Sequence, residues 1–138
     1  MFLVVPAILA SLAAQGQPTL PVASGADQGS AGDAVKELAP AQLAAMLKSP
    51  TVFVYDCNEQ DMYVEAHVPG AKLAVYDRIT SSMLPPDHNA TLVFYCYSPE
   101  CPAGTTAAHS AVALGFTDVY CMLAGITGWQ DAGLPTEP

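Results

Sequence analysis

The sequence predicts an α/β protein built on a parallel β-sheet that is covered by helices on both faces. Short runs rich in β-branched and aromatic residues alternate along the chain with segments of helical character. The central runs are apolar throughout, which is typical of strands buried on both faces. Because such sheets bind ligands beyond the carboxyl ends of their strands, we expect a functional site at that edge.

The chain contains four segments with the composition of strands. They are TVFVYD at 51–56, AKLAVYD at 71–77, TLVFYC at 91–96 and DVYCML at 118–123. Each run is short and is followed by turn-forming or helical sequence, so the four are predicted to be separate strands.

Three segments between or before these runs are predicted to be helical. Pro40 is placed to begin the first, whose apolar residues recur at i, i+3 and i+4 spacing over 43–47. Asn58 is placed to cap the second helix. The third is predicted to start at the pair Thr105–Thr106 and to stop at Gly115, a residue suited to a left-handed helix end.

Length and charge limit the organisation and the partners of the protein. A chain of 138 residues with 51% hydrophobic side chains can bury one core, so we expect one folded domain. The formal net charge is −9, and the only Lys and Arg residues are Lys36, Lys48, Lys72 and Arg78. Nucleic acid and anionic membrane surfaces are therefore not expected as partners.

The amino-terminal residues have the composition of a secretory signal. The first 26 residues carry no charged side chain, and an apolar run ends at a small-x-small sequence at 11–13. We predict a signal peptide at 1–14, a flexible linker at 15–33 and the folded domain at 34–138. This predicts a periplasmic or secreted protein without a membrane span after cleavage. If the segment is not a signal, the protein is cytoplasmic.

Cys96 is the leading candidate for a reactive residue, because it ends a predicted central strand and precedes a predicted helix. Backbone N–H groups of residues 97–106 can converge on a sulfur placed there and lower its pKa. A thiolate in that position suits covalent chemistry. The alternative is that Cys96 is an inert buried thiol.

Five landmarks resemble, in order, those of the rhodanese-like family. They are Asp56 at a strand end, AHVPGA at 66–71, LVFYC at 92–96, LGFTDVY at 114–120 and AGITGW at 124–129. The resemblance implies a three-layer fold with a five-stranded parallel sheet. It also implies that Cys96 accepts a sulfane sulfur as a persulfide and passes it to a thiophilic acceptor. The expected partners are a small sulfur donor and a thiol acceptor, which can be a protein thiol, and no cofactor is expected.

The resemblance places a substrate-binding loop directly after Cys96. Its residues are Tyr97, Ser98, Pro99, Glu100, Cys101, Pro102, Ala103, Gly104, Thr105 and Thr106. Asp56 and Cys57 are expected to support this loop from a neighbouring strand end. The family loop usually carries a cation that helps bind anionic donors. In this loop the only charged side chain is that of Glu100. Thiosulfate is therefore disfavoured as the natural donor, and phosphatase chemistry, which needs a cation, is disfavoured too.

Cys101 leaves several alternatives open. It can resolve a persulfide or sulfenate on Cys96 and leave a disulfide, which would make the chain a dithiol redox protein. In a rival alignment Cys101 is the nucleophile, because Cys101 to Gly104 copies the family's Cys-x-x-Gly pattern. A rhodanese-like binding domain without turnover is the third alternative. The four cysteines contain no close Cys-x-x-Cys pair, so a metal site is not expected.

Overall fold

The computed structural model describes residues 34–138, in which five parallel strands form a single sheet. The strands, in the spatial order β1-β5-β4-β2-β3, are β1 Val35–Glu37, β2 Val52–Asp56, β3 Lys72–Leu73, β4 Thr91–Tyr95 and β5 Asp118–Met122. The predicted fold class is confirmed. The signal peptide and linker proposed for residues 1–33 lie outside the described residues.

Helices cover both faces of the sheet. They are α1 Pro40–Met46, α2 Gln60–Glu65, α3 Ala103–Ala113 and α4 Gly125–Asp131, with a single 3₁₀ turn at Ser81–Met83. Strand β4 shows the layering, because Leu92 and Phe94 join the buried cluster under α3, whereas Val93 and Tyr95 join the cluster under α1 and α4. Among residues 34–138, none of the helices has the length and apolarity needed to cross a membrane.

The strands at the two edges of the sheet differ from the sequence prediction. The run predicted at 71–77 is a strand only over Lys72–Leu73. Its chain leaves the sheet after Ala74, whose N–H donates to the carbonyl of Asp56, and Val75 is already 52% exposed. Strand β1 was not identified from the sequence. Its three residues are half-buried or exposed and include two charged side chains, so they lack the apolar pattern of a core strand.

The helix ends also correct the prediction. Helix α2 begins at Gln60 with Glu59 as its N-cap, so Asn58 does not cap it. Asn58 instead donates its N–H to a carboxylate oxygen of Asp56 at 2.8 Å. Helix α3 begins at Ala103, before the threonine pair, and Gly115 follows its end with φ of +101° as expected.

A buried hydrogen-bonded network ties the carboxyl ends of β2 and β4 together. Tyr95 donates its hydroxyl hydrogen to Asp56 Oδ2 at 2.7 Å and accepts the N–H of Val68 at 3.0 Å. Asp56 and Tyr95 are both fully buried. Burial raises the pKa of the Asp56 carboxyl, and the hydrogen bonds from Tyr95 and Asn58 oppose this rise.

We expect Tyr95→Phe to lower the free energy of unfolding by at least about 2 kcal/mol, because a buried carboxylate oxygen and a buried N–H each lose a partner at about 1–3 kcal/mol. Urea unfolding at neutral pH measures this change. Tyr55→Phe is the matched control, since Tyr55 is equally buried but its hydroxyl donates only a 3.4 Å hydrogen bond to the carbonyl of Met83. Equal losses in the two variants would contradict the network's role.

Candidate active site

Cys96 lies at the position that the sequence predicts, directly after the last residue of the central strand. Its side chain and backbone are 6% exposed. Its carbonyl oxygen accepts the N–H of Ile126 at 2.9 Å. The residue is therefore fixed at the carboxyl edge of the sheet, where parallel sheets hold their ligands.

The sulfur of Cys96 is joined to that of Cys101 in a disulfide. The two Cα atoms are 6.1 Å apart, which is within the usual range for such bonds. The N–H of Cys101 donates to the carbonyl of Ser98 at 3.1 Å, so the intervening residues turn back on themselves. Cys101 is half-buried, whereas Cys96 is buried. In this state neither sulfur is a free nucleophile, and reduction is needed to release both.

The N–H cradle predicted around Cys96 is only partly available. The N–H of Cys101 is used by Ser98, and the N–H of Thr106 donates to the carbonyl of Pro102 at 2.9 Å. The Thr105 hydroxyl and the sulfur of Cys121 share a hydrogen bond of 3.5 Å. The end of the predicted loop is therefore helix, and its side chains serve packing and local hydrogen bonds.

An open cleft of about 420 Å³ lies over the disulfide. Four residues of the predicted loop contribute to its wall, namely Tyr97, Cys101, Pro102 and Ala103. Cys57, which follows β2, lines the same cleft as Cys96. Ser98, Pro99 and Glu100 lie on the outer part of the loop, and Gly104, Thr105 and Thr106 belong to α3. The structure thus brings together both cysteines of the loop and the one predicted to support it.

Four further wall residues were missed by the sequence analysis. Asn58, directly after Cys57, was interpreted only as a helix cap. Glu59 and Met62 come from the start of α2, and Tyr76 follows β3. Glu59 and Met62 are three residues apart and share one side of a helical turn, which is the signal that could have found them. Tyr76 lay in the segment interpreted as strand, where its 41% exposure could not be foreseen.

The charges around the cleft are negative or absent. None of the chain's four Lys and Arg residues contributes to the wall, and Glu59 is its single charged member. Glu100 is fully exposed, and a hydrogen bond from the Ser98 hydroxyl lowers the pKa of its carboxyl. Within residues 34–138, no cluster of three or more His, Cys, Asp or Glu side chains is arranged to hold a metal ion.

The two remaining cysteines are buried thiols. Burial, followed by the nearby charge of Asp56, raises the pKa of Cys57 to about 12. Burial also raises the pKa of Cys121, which packs under α3. Both thiols are therefore expected to stay protonated at neutral pH, and a buried, protonated thiol is a poor nucleophile.

Gly104 explains how α3 approaches the central strand so closely. A Cβ at this position would lie 3.1 Å from the backbone carbon atoms of Tyr95. The glycine of the Cys101-to-Gly104 pattern is therefore a packing residue inside a helix. Cys96 directly follows β4, whereas Cys101 lies two residues before α3, so of the two cysteines it is Cys96 that stands at the strand end.

The first residues of the loop are held by the start of α4. The N–H of Thr127 donates to the carbonyl of Tyr97 at 3.1 Å, and its hydroxyl donates to the same oxygen at 3.0 Å. Gly125 has φ of +67°, and a Cβ there would lie 2.5 Å from the carbonyl group of Tyr97. The sequence analysis assigned no role to these residues, although AGITGW was among its landmarks.

Comparison with known proteins identifies the family. The pattern of the Rhodanese-like domain matches residues 39–132, which is most of the chain. The chain belongs to the rhodanese-like family. A protein named thiosulfate sulfurtransferase GlpE from Pseudoalteromonas translucida is 29% identical over 99 residues, which cover 72% of this chain and 92% of that protein. The family and the name of this relative support assignment to a sulfurtransferase family.

Solved structures agree with the rhodanese-like assignment. A Bacillus halodurans protein superposes with a TM-score of 0.67 at 25% identity, covering 74% of this chain and 76% of the other. A thiosulfate sulfurtransferase from Pseudomonas aeruginosa gives a TM-score of 0.64 at 26% identity, covering 75% of this chain but 19% of its own. The fold predicted from the resemblance is therefore confirmed.

Gly125→Ala should destabilise the rhodanese-like domain more than Gly133→Ala does. Both glycines have positive φ, at +67° and +73°, so both variants carry backbone strain of about 1–2 kcal/mol. Only Gly125 adds a clash with Tyr97, because a Cβ at Gly133 meets nothing within 4 Å. We expect a further loss of about 1–3 kcal/mol in urea unfolding from this overpacking. Equal losses would show that the contact between α4 and the loop is not tight.

Proposed function

We propose that this rhodanese-like protein is a sulfurtransferase that carries sulfane sulfur as a persulfide on Cys96. The observation that carries the proposal is the position of Cys96 in an open cleft at the end of the central strand. Membership of the family and the names of the relatives support it. In this proposal the Cys96–Cys101 disulfide is an oxidised resting state, which external thiols reduce before turnover.

The transfer consists of two displacements at sulfur. The Cys96 thiolate attacks the outer sulfur of a donor persulfide and releases the donor as a thiolate. An acceptor thiolate then attacks the outer sulfur of the Cys96 persulfide. The acceptor keeps this sulfur as its own persulfide, and Cys96 leaves as the thiolate. The acceptor can be a small thiol or a protein thiol, because the cleft is open.

The charge of the cleft favours a neutral or thiol-bound donor. Glu59 lines the wall, Glu100 lies in the loop, and the chain has a net charge of −9. A dianion such as thiosulfate is repelled by this field, and no cation in the wall offsets the repulsion. An organic persulfide can instead place its carbon chain against Met62, Tyr76 and Tyr97.

The site is proposed to work outside the cytoplasm. The signal-like composition of residues 1–14 supports export, and a disulfide in the site suits a compartment where such bonds persist. The mass of the mature protein recovered from culture tests this point, since cleavage removes the amino-terminal segment.

A dithiol redox function is the second candidate, and the disulfide between Cys96 and Cys101 favours it. Intact-mass measurement after exposure to a persulfide donor separates the two. A sulfurtransferase that has been reduced first gains one sulfur atom. A redox protein instead loses two hydrogens and transfers no sulfur to cyanide.

Cys96→Ser should abolish sulfur transfer from an organic persulfide to cyanide, measured as thiocyanate release, because serine cannot form a persulfide. Cys101→Ser should keep most of the activity when it is assayed in the reduced state. Cys121→Ser is the control, since Cys121 is buried in β5 away from the cleft wall. If Cys96→Ser remains active and Cys101→Ser is inactive, Cys101 is the nucleophile.

Glu100→Arg should improve the use of thiosulfate by the reduced protein. The change removes a repelling charge and adds an attracting one. Because Glu100 is fully exposed, solvent and salt limit the gain to about a few-fold in KM. In the wild type, added salt should lower the KM for thiosulfate, and in the variant it should raise it. Asp131→Arg, at the exposed end of α4, is the control for net charge. A low wild-type KM without salt dependence would contradict the argument from charge.

A further inference from the structure

Cys57 occupies the position beside Cys96 on the neighbouring strand. Strands β2 and β4 are paired in parallel with Asp56 opposite Tyr95, the last residue of each strand. Cys57 and Cys96 are the next residues in the two chains. The N–H of Cys57 donates to the carbonyl of Tyr95 at 2.8 Å, so the pairing continues to this point.

The two cysteines also face the same side of the sheet. Two residues earlier on this side, Tyr55 stacks on its register partner Phe94 with ring centroids 5.1 Å apart. Cys57 and Cys96 belong to the same buried cluster as these rings and line the same cleft. Neighbouring strands lie about 4.8 Å apart, which is within the range of Cα separations that a disulfide spans.

Cys121 is a natural comparison for Cys57. It is a buried free thiol in the same cluster. Its register partner on β4 is Phe94, two residues before Cys96, and it does not line the cleft. The two residues are therefore alike as buried free thiols. They differ in register, because only Cys57 lies beside Cys96 on a neighbouring strand.

We propose that Cys57 is a third redox cysteine of this site, which exchanges with the Cys96–Cys101 disulfide to form a Cys57–Cys96 disulfide. The Cys57 sulfur gives up its proton and attacks Cys96 Sγ. The bond between the sulfurs of Cys96 and Cys101 breaks, and its electron pair leaves with Cys101, which takes up a proton. One disulfide and one thiol are present before and after, so no external oxidant or reductant is consumed.

The exchange places a free thiol on the half-buried Cys101 at the cleft, while the buried Cys96 stays protected. Burial makes the Cys57 thiolate scarce, which slows the attack. The neighbouring positions of the two sulfurs oppose this effect, because the reaction is intramolecular. The proposal depends on the disulfide and the strand register and does not require that the protein transfers sulfur.

To test the proposal, the oxidised wild-type protein is incubated for hours under native conditions with N-ethylmaleimide. This reagent traps any Cys101 thiol that the exchange releases. The protein is then unfolded with excess iodoacetamide and digested with trypsin without reduction. Cleavage after Lys48, Lys72 and Arg78 leaves Cys57 in the peptide 49–72 and the other three cysteines in the peptide 79–138. We expect these two peptides to become disulfide-linked, with N-ethylmaleimide on Cys101.

Two variants assign the exchange to Cys57. Cys57→Ser should lose the N-ethylmaleimide label on Cys101, whereas Cys121→Ser should keep both the label and the link. Labelling of Cys101 in Cys57→Ser, or loss of the link in Cys121→Ser, would overturn the proposal.

A third variant tests the geometry without the competing bond. Cys101→Ser, oxidised with diamide, should lose two hydrogens and link the two tryptic peptides, and the Cys57→Ser/Cys101→Ser protein should not lose them. Unlinked peptides in both wild type and Cys101→Ser overturn the proposal. A link in Cys101→Ser alone overturns the exchange, because the sulfurs would then meet only when Cys101 is absent.

Discussion

The hydrogen bond between Tyr95 and Asp56 is the interaction on which the site depends. It joins the last residues of two adjacent strands inside the protein, where an unpaired carboxylate would be costly. Tyr95 also holds Val68, and Asp56 holds Asn58, so the turns on either side of α2 are attached to the same pair. The residues that follow directly are Cys57 and Cys96. Their positions are therefore set by a polar network that lies on the opposite face of the sheet.

The cleft above them combines the rhodanese-like fold with a largely apolar wall. Sulfur atoms, aromatic rings and a methionine make up much of the wall, and Glu59 is its charged member. Apolar surface attracts apolar ligands through the release of water, whereas a dianion must give up hydration without gaining a cation. The fold alone does not fix the substrate, which depends on the side chains that line the cleft.

The sequence was sufficient for the interior of the sheet and for the position of Cys96 at the end of a central strand. Strands β2, β4 and β5 are continuous apolar runs because both of their faces are buried, and Cys96 follows one of them directly. At the edges of the sheet the sequence was less informative. Strand β1 was missed because it is short and mostly exposed, and the strand predicted at 71–77 is β3 over only two residues. Their existence depends on pairing with distant segments, which local composition does not record.

The cleft wall and the support of the loop were hidden for a related reason. Tyr76 and Met62 line the same cleft as Cys96 only after the chain has folded, and no spacing in the sequence connects either of them with Cys96. Asn58 has the chemistry of a helix cap, but the buried carboxylate of Asp56 captures its N–H. Tertiary contacts of this kind override local preferences.

The attachment of the loop to α4 makes the position of the loop backbone independent of the loop's side chains. The carbonyls of Cys96 and Tyr97 are held by backbone N–H groups and one hydroxyl of α4, and Gly125 leaves room for the loop backbone. The loop's own side chains take no part in these contacts. Residues 98–100 can therefore be substituted without changing how the loop is anchored. The same backbone frame can then place different side chains beside the sulfur of Cys96.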